Sequence, residues 1–211
     1  VPLKIAFALV IALILSQKIK GINFFRTLYY LPSILGGSVA ISVLWKYLFM
    51  KNGIVNGLLS KIGITGPDWL GSPTWALFTV GLVTVWQFGS SLLLFLAGLK
   101  NIPESLYEAA SLDGAKTLRK FWSITLTSLS PIVLFNLVMQ MINAFQEFTP
   151  AYVITQGGPL KSTYLYGLML YDQGFKFFKM GYSSALSWIL FVIILLFTSL
   201  TFGSSQSWVH Y

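Results

Sequence analysis

The sequence predicts an all-α fold, a polytopic transmembrane helical bundle, and three observations predict it. Of the 211 residues, 55% are hydrophobic and 9% charged, whereas soluble domains carry roughly 25% charged residues, so there is too little charge to cover a globule in water. Several apolar runs approach or exceed the roughly 18–20 residues a helix needs to cross about 30 Å of hydrocarbon. Aromatic residues, 16% of the chain, gather near the ends of these runs, as at Tyr29, Tyr30, Trp45, Tyr47, Trp69, Trp75, Trp122 and Tyr182, where amphipathic rings favour the headgroup layer.

The first run, Pro2 to Leu15, is short for a span and opens without an initiator methionine, so the chain is expected to be N-terminally truncated. It ends in Ser16-Gln17-Lys18-Ile19-Lys20, without the small-residue pattern of a signal-peptide cleavage site. A second span is predicted from about Leu28 to Phe49, with Pro32 near its start and the small residues Gly36, Gly37 and Ser38 inside it. The connection from Met50 to Pro73 is rich in glycine and holds a short amphipathic helix around Ile54 to Ile62, which marks an ordered extramembrane loop. A third span is predicted from about Thr74 to Leu99, a fourth from Leu126 to Phe148 and a fifth from Tyr182 to Phe202. The loop between the last two, Thr149 to Gly181, turns at Thr155-Gln156-Gly157-Gly158-Pro159. Residues 1–211 thus read as a single transmembrane domain of five spans in this chain. The basic density and both arginines, Arg26 and Arg119, mark the connections Gln17–Thr27 and 100–125 as cytoplasmic.

Several chemistries are set aside by composition. With no cysteine and one histidine, His210 in the C-terminal tail, neither a metal site nor thiol or serine–histidine catalysis has its residues. The net charge of +8 is scattered through the connections rather than clustered among aromatics, which fits lipid headgroups and orientation and predicts no nucleic-acid partner. No Gly-x-x-x-x-Gly-Lys-Ser/Thr phosphate loop is present, so no ATP chemistry of that kind and no enzyme activity is expected of this chain.

Residues 100–125 carry the most information. Pro103 suits a helix first turn, Glu104 and Glu108 suit its positive end, Gly114 can terminate it, and Lys116, Arg119 and Lys120 open a second helix. Two short helices joined at a glycine make a compact knob. The pattern Glu108-Ala109-Ala110, three residues, Gly114, nine residues, then Ile124-x-Leu126 resembles the coupling-loop (EAA-loop) signature of ABC importer permeases. The neighbours Ile102-Pro103, Leu106-Tyr107 and Asp113-Gly114-Ala115 are similar to the carbohydrate-uptake, maltose-type branch. Phe25-Arg26-Thr27 with Leu31-Pro32 resembles the start of a core span, and Gln156-Gly157-Gly158-Pro159 resembles the outer loop of the first permease subunit of that family. One departure is Thr127, where the family carries proline; it implies a straighter entry into the following span.

The resemblance implies a membrane-spanning subunit that forms the path for a sugar or oligosaccharide in a bacterial inner membrane, with at least one more span before Val1. It implies a second homologous permease subunit as heterodimer partner, two cytoplasmic ATPase subunits, and an extracytoplasmic solute-binding protein. ATP and Mg would be held by the ATPases, with no cofactor in this chain. Carried onto this sequence, the coupling candidates are Glu108, Ala109, Ala110, Leu112, Asp113 and Gly114, docking a rigid element into an ATPase cleft.

A solute path needs polar groups at membrane depth, where they are expensive and therefore functional candidates. Asn136, Gln140, Asn143 and Glu147 recur at i, i+4, i+7 and i+11, on one helical face. Thr84, Trp86 and Gln87 join them from the third span. Neutral amides and an aromatic surface suit sugar hydroxyls and the apolar face of a sugar ring, although such amides also hold helices together, and Glu147 alternatively sits at the outer mouth of the path. The competing reading is an ion-coupled secondary solute carrier, which would need a carboxylate near midmembrane; Glu147 is the only candidate and lies near a span end.

Overall fold

The structure is a computed structural model that describes residues 1–17 and 21–210. Lys18, Ile19 and Lys20, part of the basic stretch read above as cytoplasmic, lie outside the described residues. Among the described residues the fold is all-α, with no strand. The helices run α1 (Pro2–Leu15), α2 (Ile22–Ile34), α3 (Val39–Phe49), α4 (Ile54–Lys61), α5 (Pro73–Trp86) and α6 (Gly89–Asn101). They continue as α7 (Glu104–Leu112), α8 (Thr117–Lys120), α9 (Leu126–Phe145), α10 (Tyr166–Tyr171) and α11 (Met180–Ser205). Single π turns at Phe121–Thr125, Ala151–Thr155 and Asp172–Lys176 join or extend them.

Two of these runs are long and apolar enough to cross a membrane, Thr117–Phe145 and Met180–Ser205, or up to four if each of two bent helix pairs counts as a single span. The predicted fourth and fifth spans are therefore continuous. The second and third are not: the run over 28–49 breaks between Ile34 and Val39, and the run over 74–99 breaks at Gln87 and Phe88. In the first break Gly37 takes φ +72°, open to glycine and closed to most side chains, and the Ser38 side chain then caps α3 by accepting from the Ala40 N–H. In the second, Gln87 leaves helical geometry at ψ 43°, with no sequence punctuation except the glycine that opens α6.

The chain forms two compact units, one of residues 1–34, 88–141 and 195–211, the other of 35–87 and 142–194. In the first, α1 and α2 pack on α6. Ala8 and Ala12, fully buried a turn apart, line up with Ile5 and Leu15 against Leu92 and Phe95, the small residues letting the helix axes approach. A Cβ on Gly98 would run into the ends of the Ile132 and Leu129 side chains, so the close approach of α6 and α9 uses the missing side chain.

The second unit is built on aromatics. Trp45, Phe49, Trp69 and Trp75 follow one another at ring-centroid separations of 5.1–5.6 Å, and the buried Trp45 indole donates to the Thr79 carbonyl at 3.1 Å. The loop after α3 is ordered as its glycine-rich sequence predicts: Asn56 donates to the Pro67 carbonyl and accepts from the Trp69 indole at 2.7 Å. On α11 only 11% of the most apolar window is buried, which leaves Trp188, Phe191 and Val192 facing outward, as a lipid-facing or subunit-facing helix requires.

Candidate functional site

The knob predicted over 100–125 is present and its geometry follows from its capping chemistry. Pro103 takes the N-cap position of α7 and Glu104 the first turn. Asp113 follows the last helical residue, and Gly114 adopts φ +73°. The Gly114 N–H donates to Ser111 O at 3.0 Å and the Ala115 N–H to Ala110 O at 2.8 Å, the paired bonds of a Schellman stop that satisfies otherwise orphaned carbonyls. Nothing lies within 4 Å of where a Gly114 Cβ would stand, so glycine is required there for its backbone and not for space.

Side-chain bonds then tie the two arms together. Lys120 Nζ donates to Ser111 Oγ at 2.6 Å, and Ser111 Oγ donates to Tyr107 O at 2.7 Å. Tyr107 Oη and the buried Thr125 Oγ1 share a 2.8 Å hydrogen bond. Thr125 closes the π turn that runs straight into α9, so α7 is fastened to the base of a membrane-crossing helix. The run from Thr117 to Phe145 continues unbroken past Thr127. The π turn widens the helix just before it, and Thr127 Oγ1 donates to Trp122 O at 3.2 Å, a bond a proline has no donor to make.

All six coupling candidates stand together at the tip. Glu108, Ala109, Asp113 and Gly114 are exposed and Ala110 is half-buried, while Leu112 is 90% exposed, with Leu118 of α8 at 70%. The tip thus presents apolar surface beside a carboxylate, on a hairpin tied by its own hydrogen bonds.

The polar stripe has a more divided structure. Asn136 and Gln140 are buried in the first unit. Gln140 Nε2 donates to Ser91 Oγ of α6 at 3.1 Å, so this amide fastens two helices. Asn136 Nδ2 donates to Ile132 O within its own helix, and its buried Oδ1 finds no hydrogen-bond partner, leaving an acceptor free at membrane depth. Asn143 is exposed and Glu147 half-buried, both in the second unit. Thr84 donates to Gly81 O in its own helix, Trp86 packs against Trp45 at 5.7 Å, and Gln87 occupies the break after α5.

Sequence reasoning missed a second gathering. Phe148, Tyr152, Tyr171 and Phe175 form a chain of rings beside Asp172. Their signal was present as two i, i+4 aromatic pairs, but all except Phe148, the last residue of the predicted fourth span, lay inside a segment read only as a loop.

With this geometry in view, comparison with known proteins is decisive. Residues 5–209 match the family described as binding-protein-dependent transport system inner membrane component. The chain belongs to that family. It is a membrane-embedded permease, a transport subunit of the ABC importer class rather than an enzyme. The permease is 53% identical, over its whole length and 69% of the relative's, to a protein named probable ABC transporter permease protein YesP of Bacillus subtilis. It is 34% identical, over 98% of its length and 71% of the relative's, to the lactose transport system permease protein LacF of Rhizobium radiobacter. Its fold matches that of a chain in the crystal structure of a bacterial ABC transporter involved in the import of the acidic polysaccharide alginate, with TM-score 0.82 at 22% identity over 98% of the permease and 72% of that chain.

Proposed function

We propose that this permease forms half of the translocation path for a sugar or oligosaccharide in a bacterial inner membrane. It pairs with a second homologous permease subunit, docks its knob on one of two cytoplasmic ATPase subunits that bind ATP and Mg, and receives solute from an extracytoplasmic binding protein. The observation that carries the reading is the knob: an exposed Leu112 beside Glu108, on a hairpin stopped at Gly114 and fastened through Tyr107 to the base of α9. A docked body of this kind passes the closure of its ATPase to the helix as a rigid rotation. The relatives support the sugar reading, since their names include lactose, arabinooligosaccharide and trehalose/maltose transport system permeases. Asn136, with its unpaired buried acceptor, and Gln140 are the candidates for solute contact.

The test is co-expression of the full-length permease with its partner permease and ATPase, followed by co-purification and ATP hydrolysis for wild type and for Glu108→Lys with Gly114→Asp. Release or uncoupling of the ATPase by the double change is expected, and unchanged hydrolysis would remove the coupling assignment. For the path, Gln140→Leu breaks the bond to Ser91 and is expected to cost about 0.6 kcal/mol of stability. If Gln140 also meets solute, uptake falls several-fold more than in a Ser91→Ala variant, which breaks the same bond; equal losses assign Gln140 to helix packing alone.

A further inference from the structure

We infer that the loop following α9 carries a separate carbohydrate-contact site, an aromatic cleft beside Asp172 that takes one sugar ring of the solute. The inference rests on the sugar reading above and assigns to it a site outside the polar stripe.

The cleft holds about 390 Å3, lined by Tyr152, Gln156, Tyr171, Asp172, Phe175 and Lys176 among others, which falls within the roughly 300–1,000 Å3 of small-molecule sites. Tyr171 sits between its neighbours, 5.2 Å from the Tyr152 ring and 5.4 Å from the Phe175 ring, and Phe148 stacks behind Tyr152 at 5.2 Å and 18°. Tyr152 and Phe175 are 39% and 62% exposed, so ring surface is presented rather than consumed. Aromatic faces of this kind pack on the C–H face of a pyranose.

Polar groups converge on the same space. Asp172 is buried, with Tyr164 Oη donating to its Oδ2 at 3.0 Å and Lys176 Nζ 3.9 Å from its Oδ1. The Lys176 separation is too long for a strong hydrogen bond, so Oδ1 keeps capacity to accept from a sugar hydroxyl. Beside this carboxylate the Tyr164 phenol is raised above its ordinary pKa, by burial first and then by the bond to Asp172, and stays a donor. Gln156 lines the cleft from a left-handed backbone, φ 52°, a conformation rare outside glycine and held only where surroundings enforce it. The adjoining turn is tied by the fully buried Thr163, bonded to Thr155 Oγ1 at 2.6 Å and donating to Gly158 O at 2.9 Å. Aromatic anchors of the headgroup layer need a wet tip and an apolar body; a buried carboxylate beside an exposed amide serves no anchor and fits hydroxyl recognition.

The test reconstitutes the full-length permease with its partner subunits in nanodiscs and measures retention of radiolabelled lactose, maltose, maltopentaose and arabinopentaose by equilibrium dialysis. For whichever sugar the wild type retains, Asp172→Asn is expected to raise Kd about tenfold and Phe175→Ala about threefold. Co-elution of the subunits on size exclusion checks folding, and Phe175, being largely exposed, is the variant whose truncation leaves the loop intact. Unchanged Kd in both variants overturns the cleft while leaving the sugar path in place. Weakened binding accompanied by loss of subunit co-elution overturns it as well, by assigning these residues to structure. Retention of none of the four sugars by the wild type overturns the sugar reading itself, and the cleft with it.

Discussion

The knob over 104–120 and the loop over 149–179 both connect helices outside the membrane, yet they are built in opposite ways. The knob turns its apolar residues outward, Leu112 at 90% and Leu118 at 70% exposure, and uses hydrogen bonds between surface side chains to hold its shape. The loop turns polar residues inward, with Thr163 and Asp172 buried under rings. Exposed leucines on a convex body are apolar surface a partner can cover, and a concave one that buries a carboxylate suits hydroxyls. In the reading proposed above, the knob meets protein and the loop meets solute.

The sharpest way to break this contrast is Leu112→Asp. A side chain so exposed contributes little to the permease's own stability, so the change is expected to leave the fold untouched. Docking would lose the burial of a leucine, about 1.5–3 kcal/mol, and bury an unpaired charge besides, weakening ATPase association about a hundredfold or more. Pull-down of the ATPase at fixed concentration reads this directly, and retention at wild-type level would mean that the knob tip is not the docking face.

Gly114→Val comes next. With nothing near the missing Cβ, the cost is that of a β-branched residue in left-handed backbone, about 1–2 kcal/mol or somewhat more. Gly114→Asn, which tolerates that region, is expected to recover most of the ATP-driven uptake that the valine loses, and equal defects in the two would point to a steric role instead.

These two variants also mark how far the sequence was legible. The knob is specified by local chemistry, an N-terminal proline, early acids and a glycine stop within a dozen residues, so α7, the turn at Gly114 and the second arm could be read directly. The continuous spans of α9 and α11 were equally legible from apolar length. The interruptions at Ser38 and Gln87 were not, because hydropathy averages over a break that costs no apolar residue. The aromatic cleft was hidden for another reason. Its rings come from the segment after α9, from α10 and from the π turn that extends α10, and their meeting depends on a turn locked by Thr155 and Thr163, a tertiary fact that periodicity does not record.

Thr163→Val tests the loop side of the comparison. The substitution keeps volume but leaves the Gly158 carbonyl without its donor, at a cost of about 1–3 kcal/mol. Hydrogen exchange is expected to accelerate over residues 155–165 and ATPase docking to remain unchanged. Loss of docking with this variant would show that the two ends are not separable.

The finest test concerns the bond that joins the knob to the membrane. Tyr107→Phe removes only the hydrogen bond to Thr125, worth about 1 kcal/mol, and leaves the exposed tip and the Gly114 stop as they are. If the knob works as one body with α9, the ATPase still binds with wild-type affinity while uptake per ATP hydrolysed falls about two- to fivefold, because closure is now absorbed in a looser hairpin. A Thr125→Val variant breaks the same bond from the other side, and the double variant is expected to be no worse than either single one. Additive losses would locate the coupling elsewhere along the α8–α9 run and reduce the knob to an anchor for its ATPase.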